Sequence, residues 1–268
     1  MKTQMYIITA KTHLHVGSGN SNAGVIDNLV QRDPADNLPC IYASSLKGAF
    51  REYFEVGPVK NKTLADIIFG EGKNKDSQGT KKGSHIFHQA SLLSFPARSN
   101  VKLFYHATCK SVLEKFIEDS ELFNIDVIAL RKEVEELPKL DNKTLIIGNK
   151  MDNMQIEDYF IFDEYKTDVP NLKKLLGTDI VIFSDEDFKD LCSDYNLPVI
   201  ARNNLENGQS KNLWYEQIVP RQAKFYFFTA RNCDTDNFDT HVNGNNVQIG
   251  ANASIGYGVC TISNFKSE

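Results

Sequence analysis

The chain has 268 residues, 30 Lys and Arg against 35 Asp and Glu for a net charge of -5, and 41% hydrophobic residues. That balance excludes a basic coat over the whole surface, so any nucleic-acid contact must be a local groove, while the length allows one large domain or two small ones. No apolar run reaches the roughly 18 residues needed to cross a bilayer, and Met1 to Ile8 lacks the long apolar core of a signal peptide, so a cytoplasmic protein without a membrane partner is expected.

Met5 to Val16 alternates: Tyr6, Ile8, Ala10, Thr12, Leu14 and Val16 on one side, Met5, Ile7, Thr9, Lys11, His13 and His15 on the other. This predicts a strand whose second face turns basic and polar toward its end. A loop follows over 17–37, then Leu38 to Tyr42 leads into Ser44, expected to cap a helix with Leu46, Ala49, Phe50 and Tyr53 on its buried stripe. Lys47 and Arg51 lie one turn apart on its other side. Residues 57–84 hold six lysines among Gly, Asn, Asp and Ser, interrupted by Leu64 to Phe69, and the second half is expected to be a mobile, exposed loop.

Strands are expected over Ile86 to Phe95 and Val101 to Thr108, with Thr108 capping a helix that carries Val112, Leu113, Phe116 and Ile117. Further strands are expected at Thr144 to Ile147, Tyr159 to Phe162 and Asp179 to Phe183. Ser184 then caps an acid-led helix with Phe188, Leu191, Cys192 and Tyr195 on one face. Val199 to Asn203 and Leu213 to Ile218 flank Glu206-Asn-Gly208, which predicts a projecting hairpin. Strands at Lys224 to Ala230 and Cys260 to Ile262 enclose the glycine-bearing Gly250 to Gly258. The class is α+β, an antiparallel sheet with helices on one face. Five scattered cysteines, Cys40, Cys109, Cys192, Cys233 and Cys260, show no ligand spacing and read as reduced and mostly buried.

Two features carry chemistry. A glycine-loosened loop presents Asp27, and a serine-led helix start presents Lys47 and Arg51, a combination that would hold a polyanion beside a carboxylate. RNA is the expected partner.

His15-Val-Gly-Ser-Gly19, Gly24-Val-Ile-Asp27, Gln31-Arg32, Ser44-Ser-Leu-Lys-Gly48, Ser94-Phe-Pro-Ala-Arg-Ser99, Asp185-Glu-Asp-Phe188, Leu213-Trp-Tyr-Glu216 and Gly250 to Gly258 occur in the order seen in the RAMP superfamily. The chain most resembles the backbone subunit of type III-B, or Cmr-type, CRISPR effector complexes. The resemblance covers nearly the whole chain and is weakest at 57–84 and 118–143.

The resemblance implies a single domain over 1–268: a modified RRM-like (ferredoxin-like) palm with inserted elements, an active-site loop at about 17–40, an insertion at about 57–84 and a protruding thumb hairpin at about 199–218. Copies would stack as a helical filament along a guide RNA beside other subunits of the complex, and cut paired target RNA as a metal-dependent endoribonuclease. Asp27 matches the cutting aspartate and would act as a base toward the ribose hydroxyl or hold Mg2+ or Mn2+ weakly, hard cations that take carboxylate oxygen. His15, Tyr215 and Glu216 become second-tier candidates for positioning or proton transfer. Ser44, Ser45, Lys47, Arg51, Gly256, Tyr257 and Gly258 become candidates for RNA contact. Tyr257 stands where many relatives carry a basic residue, and Ala43 where many carry glycine. Two alternatives remain: a purely structural RNA-binding filament subunit, and the equivalent subunit of a type III-A complex.

Overall fold

The computed structural model describes residues 1–19, 24–71, 80–140, 144–161, 163–231 and 237–265. The expected mobile stretch falls largely on 72–79, and that stretch, Phe162 and Cys233 lie outside the described residues. In chain order the elements begin with β1 (Lys2–Ala10), β2 (Cys40–Ile41), α1 (Ala43–Glu55), α2 (Lys62–Phe69), β3 (Gly70–Glu71), β4 (Lys81–Lys82), β5 (His85–Phe87), β6 (Ala90–Ala97), β7 (Tyr105–Cys109), α3 (Lys110–Leu122) and α4 (Ile128–Glu135). They continue with β8 (Leu145–Ile147), β9 (Gln155–Ile156), β10 (Tyr159–Phe160), β11 (Asp163–Tyr165), α5 (Pro170–Leu176), β12 (Ile180–Phe183) and α6 (Asp185–Leu191). The chain closes with β13 (Val199–Glu206), β14 (Gln209–Gln217), β15 (Lys224–Arg231), α7 (Phe238–Val242), β16 (Asn246–Gln248), a 3-10 turn (Ala253–Ile255) and β17 (Val259–Asn264).

Eleven strands form one sheet in the order β11-β8-β12-β7-β6-β15-β1-β17-β16, with β2 added to β6 and β5 to β15. Most pairs are antiparallel, but β12 runs parallel to β7 and β11 parallel to β8, so the sheet is mixed. The helices lie on both faces, not on one. Tyr6, Ile8, Phe225 and Phe227 enter one core with α1, α2, α6 and α7. Met5, Ile7, Tyr226 and Phe228 enter a second with α3, α4 and α5. The face of β1 expected to turn polar is therefore buried, because a strand covered on both sides loses the apolar-polar alternation that marks a half-exposed one. Phe227 stacks on Tyr6 at 5.3 Å between ring centroids and tilts against Phe50 at 5.6 Å, joining the sheet to α1.

Several local expectations are corrected. β1 ends at Ala10, six residues short of Val16. The long strand expected from Ile86 is broken into β5 and β6. Thr108 is a strand residue whose hydroxyl donates to the Leu93 carbonyl; Cys109 occupies the cap position of α3 without a side-chain bond to a helix amide. Ser184 does cap α6, accepting from the Asp187 amide, but Tyr195 is 98% exposed and not on its buried face. The described cysteines, Cys40, Cys109, Cys192 and Cys260, are free and buried.

Candidate active site

Past Ala10 the chain leaves the sheet and runs between the glycine loop and the strand that continues from β14. The His13 carbonyl accepts from the Gly258 amide at 2.8 Å and the His15 carbonyl from the Ala251 amide at 2.9 Å, while Leu14 exchanges both bonds with Val219. Glycine is required at both crossings. A Cβ on Gly250 (φ +82°) would stand 2.4 Å from the His15 carbonyl oxygen, and one on Gly258 (φ +76°) 2.1 Å from that of Ile249. Gly258 is buried with its amide and carbonyl both bonded, so this glycine serves a main-chain crossing. Gly256 is exposed with open space around it, and Tyr257 is half-buried with its ring edge-on to His13 at 6.0 Å.

The loop returns through Ser18, whose amide donates to the Leu29 carbonyl, and through Gln31, whose amide donates to that of Val16. Between these, Asp27 and Asn28 dock onto the root of the hairpin β13–β14. The amides of both donate to the Tyr215 carbonyl at 3.1 Å, the Tyr215 amide donates back to Asp27 Oδ2 at 2.8 Å, and the Gln217 amide donates to the Asn28 carbonyl. Asp27 is exposed, and Oδ1 makes no hydrogen bond among the described residues. The arrangement fixes the carboxylate by its main chain while leaving one oxygen toward solvent.

Glu216, next along β14, is only 6% exposed. Its carboxylate accepts from Trp214 Nε1 (2.9 Å), Arg202 (3.0 Å), Asn252 Nδ2 (2.8 Å) and Asn28 Nδ2 (3.3 Å). Burial pushes its pKa up, but the bonds from Trp214 and Asn252 and the charges of His15 and Arg202 outweigh that and hold it below the usual glutamate value. It ties the carboxylate loop, the hairpin and the glycine loop together. The guanidinium of Arg202 also lies over the Trp214 ring, 5.4 Å from its centroid.

His15 is not on the polar face of a strand. It is 4% exposed, and its Nδ1 meets the Gln217 carbonyl at 2.6 Å. A carbonyl only accepts, so Nδ1 carries a proton toward it, while Nε2 is turned toward Gly17, where an added Cβ would come within 3.2 Å. Tyr215 is 37% exposed. Its backbone positions Asp27, and strand alternation puts its ring on the side of the hairpin shared with Leu213 and Leu205.

On the other flank, Tyr42 and not Ser44 is the cap residue of α1. The capping bond comes from Gln31, whose Oε1 accepts from the Tyr42 amide at 2.7 Å while Nε2 donates to Ser45 Oγ and the Gly17 carbonyl. Ser44 is exposed in the first helical turn, and Lys47 has no ion pair or hydrogen bond among the described residues. Arg51 lies one turn on from Lys47. Its guanidinium is held by Glu55, Asp66 and the Gly70 carbonyl, so it fastens α2 to α1 with its charge already matched.

No group of three or more His, Cys, Asp and Glu side chains that could hold a metal ion occurs among the described residues. A lone exposed carboxylate fits Mg2+ only as a weakly held ion whose shell is completed by substrate phosphate and water. Sequence reasoning missed the polar residues that build the site: Gln31, Asn28, Gln217, Asn252, Arg202 and Trp214. Gln31, Trp214 and Asn252 lie inside segments that carry the family resemblance, but no spacing rule gives a role to a lone amide or indole.

A large mixed sheet, a projecting hairpin and a glycine loop gathered around one docked carboxylate define the class: the chain belongs to the RAMP superfamily, whose family model matches residues 7–261. Among individual relatives, the CRISPR system Cmr endoribonuclease Cmr4 of Pyrococcus furiosus is 28% identical over 98% of this chain and 96% of its own length. A chain of the type III-B Cmr-beta complex bound to cognate target RNA has the same fold, with TM-score 0.80 and 19% identity over 98% of this chain and 97% of that one. Oligomeric Cmr4 of Pyrococcus furiosus superposes with TM-score 0.74 and 22% identity over 100% of this chain and 99% of that one.

Proposed function

We propose that this chain is the repeating guide-RNA-binding subunit of a type III-B CRISPR effector and that it cuts target RNA paired to the guide. The carrying observation is the docking of Asp27: three main-chain bonds and one side-chain bond hold an otherwise free carboxylate at the root of the hairpin. The whole-length likeness to an endoribonuclease of a Cmr system supports the same reading.

In this reading the sheet and its covering helices form the RRM-like palm and β13–β14 the thumb. The first turn of α1 offers amides without intrahelical acceptors, with Lys47 one turn on, and takes a guide phosphate. Ser44 lies in that turn, and Gly256 and Tyr257 present a second exposed edge on which a base stacks. Leu205, Leu213 and Tyr215, exposed along one side of the hairpin, form an apolar wedge that splays the duplex beside Asp27.

A splayed nucleotide brings its 2′-oxygen in line with its own phosphorus. Asp27 Oδ1 takes the 2′-hydroxyl proton, the 2′-oxygen bonds to phosphorus, and the bond to the 5′-oxygen breaks, that oxygen taking a proton from water. Cyclic 2′,3′-phosphate and 5′-hydroxyl ends result. Mg2+ or Mn2+ bound at Asp27 would stabilise the charge on the phosphorane. Glu216 and His15 act as positioning residues, being buried and bonded within the scaffold that carries Asp27.

The test is a cleavage gel with the reconstituted complex. Asp27→Asn keeps the docking bond to Tyr215 and is expected to lower cutting at least about a thousandfold, the scale on which single catalytic groups act, with guide affinity unchanged within about threefold. Unchanged cutting would leave the purely structural subunit as the correct reading.

A further inference from the structure

A cleft of about 830 Å3 lies at the root of the hairpin, on elements the proposed chemistry does not use. Its floor is apolar, with Phe95 and Leu191 buried and Phe104 half-buried, and Leu103 at its edge is 87% exposed. Of its charged groups, Arg98 is already matched by a two-pronged pair with Glu157. That leaves the exposed carboxylates Asp158 and Asp190 against Arg221, an excess of one negative charge, and His13 beside Arg221 has its pKa lowered first by burial and then by that guanidinium. An apolar floor with a net acidic rim suits a protein knob carrying a cation better than an RNA phosphate.

The chain itself presents such a knob. At the far end of α1, about 20 Å from Ser44 by the rise of thirteen residues, the turn 56–61 folds back on the helix. The Val56 and Gly57 amides both donate to the Glu52 carbonyl and the Asn61 amide to that of Phe54; a Cβ on Gly57 would stand 2.7 Å from the Tyr53 carbonyl oxygen. The turn is thus preorganised. It exposes Val56 (68%), Pro58 and Lys60, and Lys60 has no partner among the described residues. Two unlike, complementary patches on one chain are what a head-to-tail contact requires.

Resting on the filament reading above, we infer that the turn 56–60 of one copy docks in the hairpin-root cleft of the next, with Val56 and Pro58 on the apolar floor and Lys60 against Asp158 and Asp190. The experiment counts copies per guide RNA by native mass spectrometry and, in parallel, follows self-association without RNA by sedimentation. Lys60→Glu and Asp158→Lys are each expected to weaken association between copies about tenfold, and the two together to restore most of it. Leu103→Glu should block association outright while single copies still bind RNA. Unaltered association in the single reversals, failure of the pair to restore, or a native chain that stays single with and without RNA would overturn the docking. So would loss of RNA crosslinking at the cleft with association unchanged, which would make RNA the occupant. Reversal-sensitive self-association in a chain that binds no guide would keep the docking and remove the guide-RNA reading instead.

Discussion

Glu216 concentrates the site's energetics in one side chain. A carboxylate at 6% exposure stays charged only because Trp214, Arg202, Asn252 and Asn28 surround it with donors. Because its folded pKa lies below the unfolded one, its contribution is present above the unfolded carboxylate value and is lost as pH falls through the folded value. Glu216→Gln removes one acceptor oxygen and the charge, and is expected to cost about 1–3 kcal/mol in urea unfolding while flattening the stability profile at acid pH. Trp214 is the chain's single tryptophan, so a change in its emission reports the same loss directly. An unchanged acid profile would show that the charge is not what matters. At this scale the sequence named Asp27 through its resemblance alone, because a lone acid between Ile26 and Asn28 says nothing by itself. Gln31, Gln217 and Asn252 stayed hidden, since their roles arise from meetings between segments up to about 200 residues apart. For Arg51, helical spacing showed its place beside Lys47, while Asp66, which takes up part of its charge from another helix, was invisible as a partner.

The hairpin was legible as an element because Asn207 and Gly208 both take positive φ, 54° and 80°, the backbone of a tight turn that twists with its strands. A two-stranded ribbon is marginal alone. This one is held at its root, where Asn28 and Asn252 reach Glu216 and the Ile218 amide donates to the Pro198 carbonyl. Its outer half exposes Leu205 (62%) and Leu213 (52%), so the double substitution Leu205→Ser with Leu213→Ser should change stability by less than about 0.5 kcal/mol per site. The same pair should slow target cutting about tenfold with guide affinity intact, if wedging the duplex is their task. A lowered melting temperature with an unaltered cutting rate would make them structural. Other elements were less legible. The two-residue strands β2, β3, β4, β9 and β10 are too short to show a period of two, and β1 hid its second buried face because Thr9, Lys11 and His13 read as a polar continuation of Met5 and Ile7.

Across the whole molecule, β7 is the seam: it pairs antiparallel with β6, toward β15 and β1, and parallel with β12, toward β8 and β11. His106 lies on it, packed edge-on with Phe104 at 5.3 Å, and its buried Nδ1 has no hydrogen-bond partner among the described residues. Burial, and then the charge of Lys224, lower its pKa to about 4, with Asp179 opposing weakly. The unfolded chain, with histidine near 6.5, therefore binds the proton more readily than the folded one between these values, so stability is full above 6.5 and falls as pH drops toward 4. A displacement of that size corresponds to about 3 kcal/mol, enough to threaten a domain of ordinary stability. Urea midpoints at pH 7 and pH 4.5 should therefore lie well apart in the native chain and draw together in His106→Gln, whose amide does not titrate. Because β7 joins the two halves of one continuous sheet, the loss at His106 is expected to register in the global unfolding midpoint. Equal midpoint shifts in both proteins would assign the acid sensitivity to other groups and leave the seam uncharged at every pH tested.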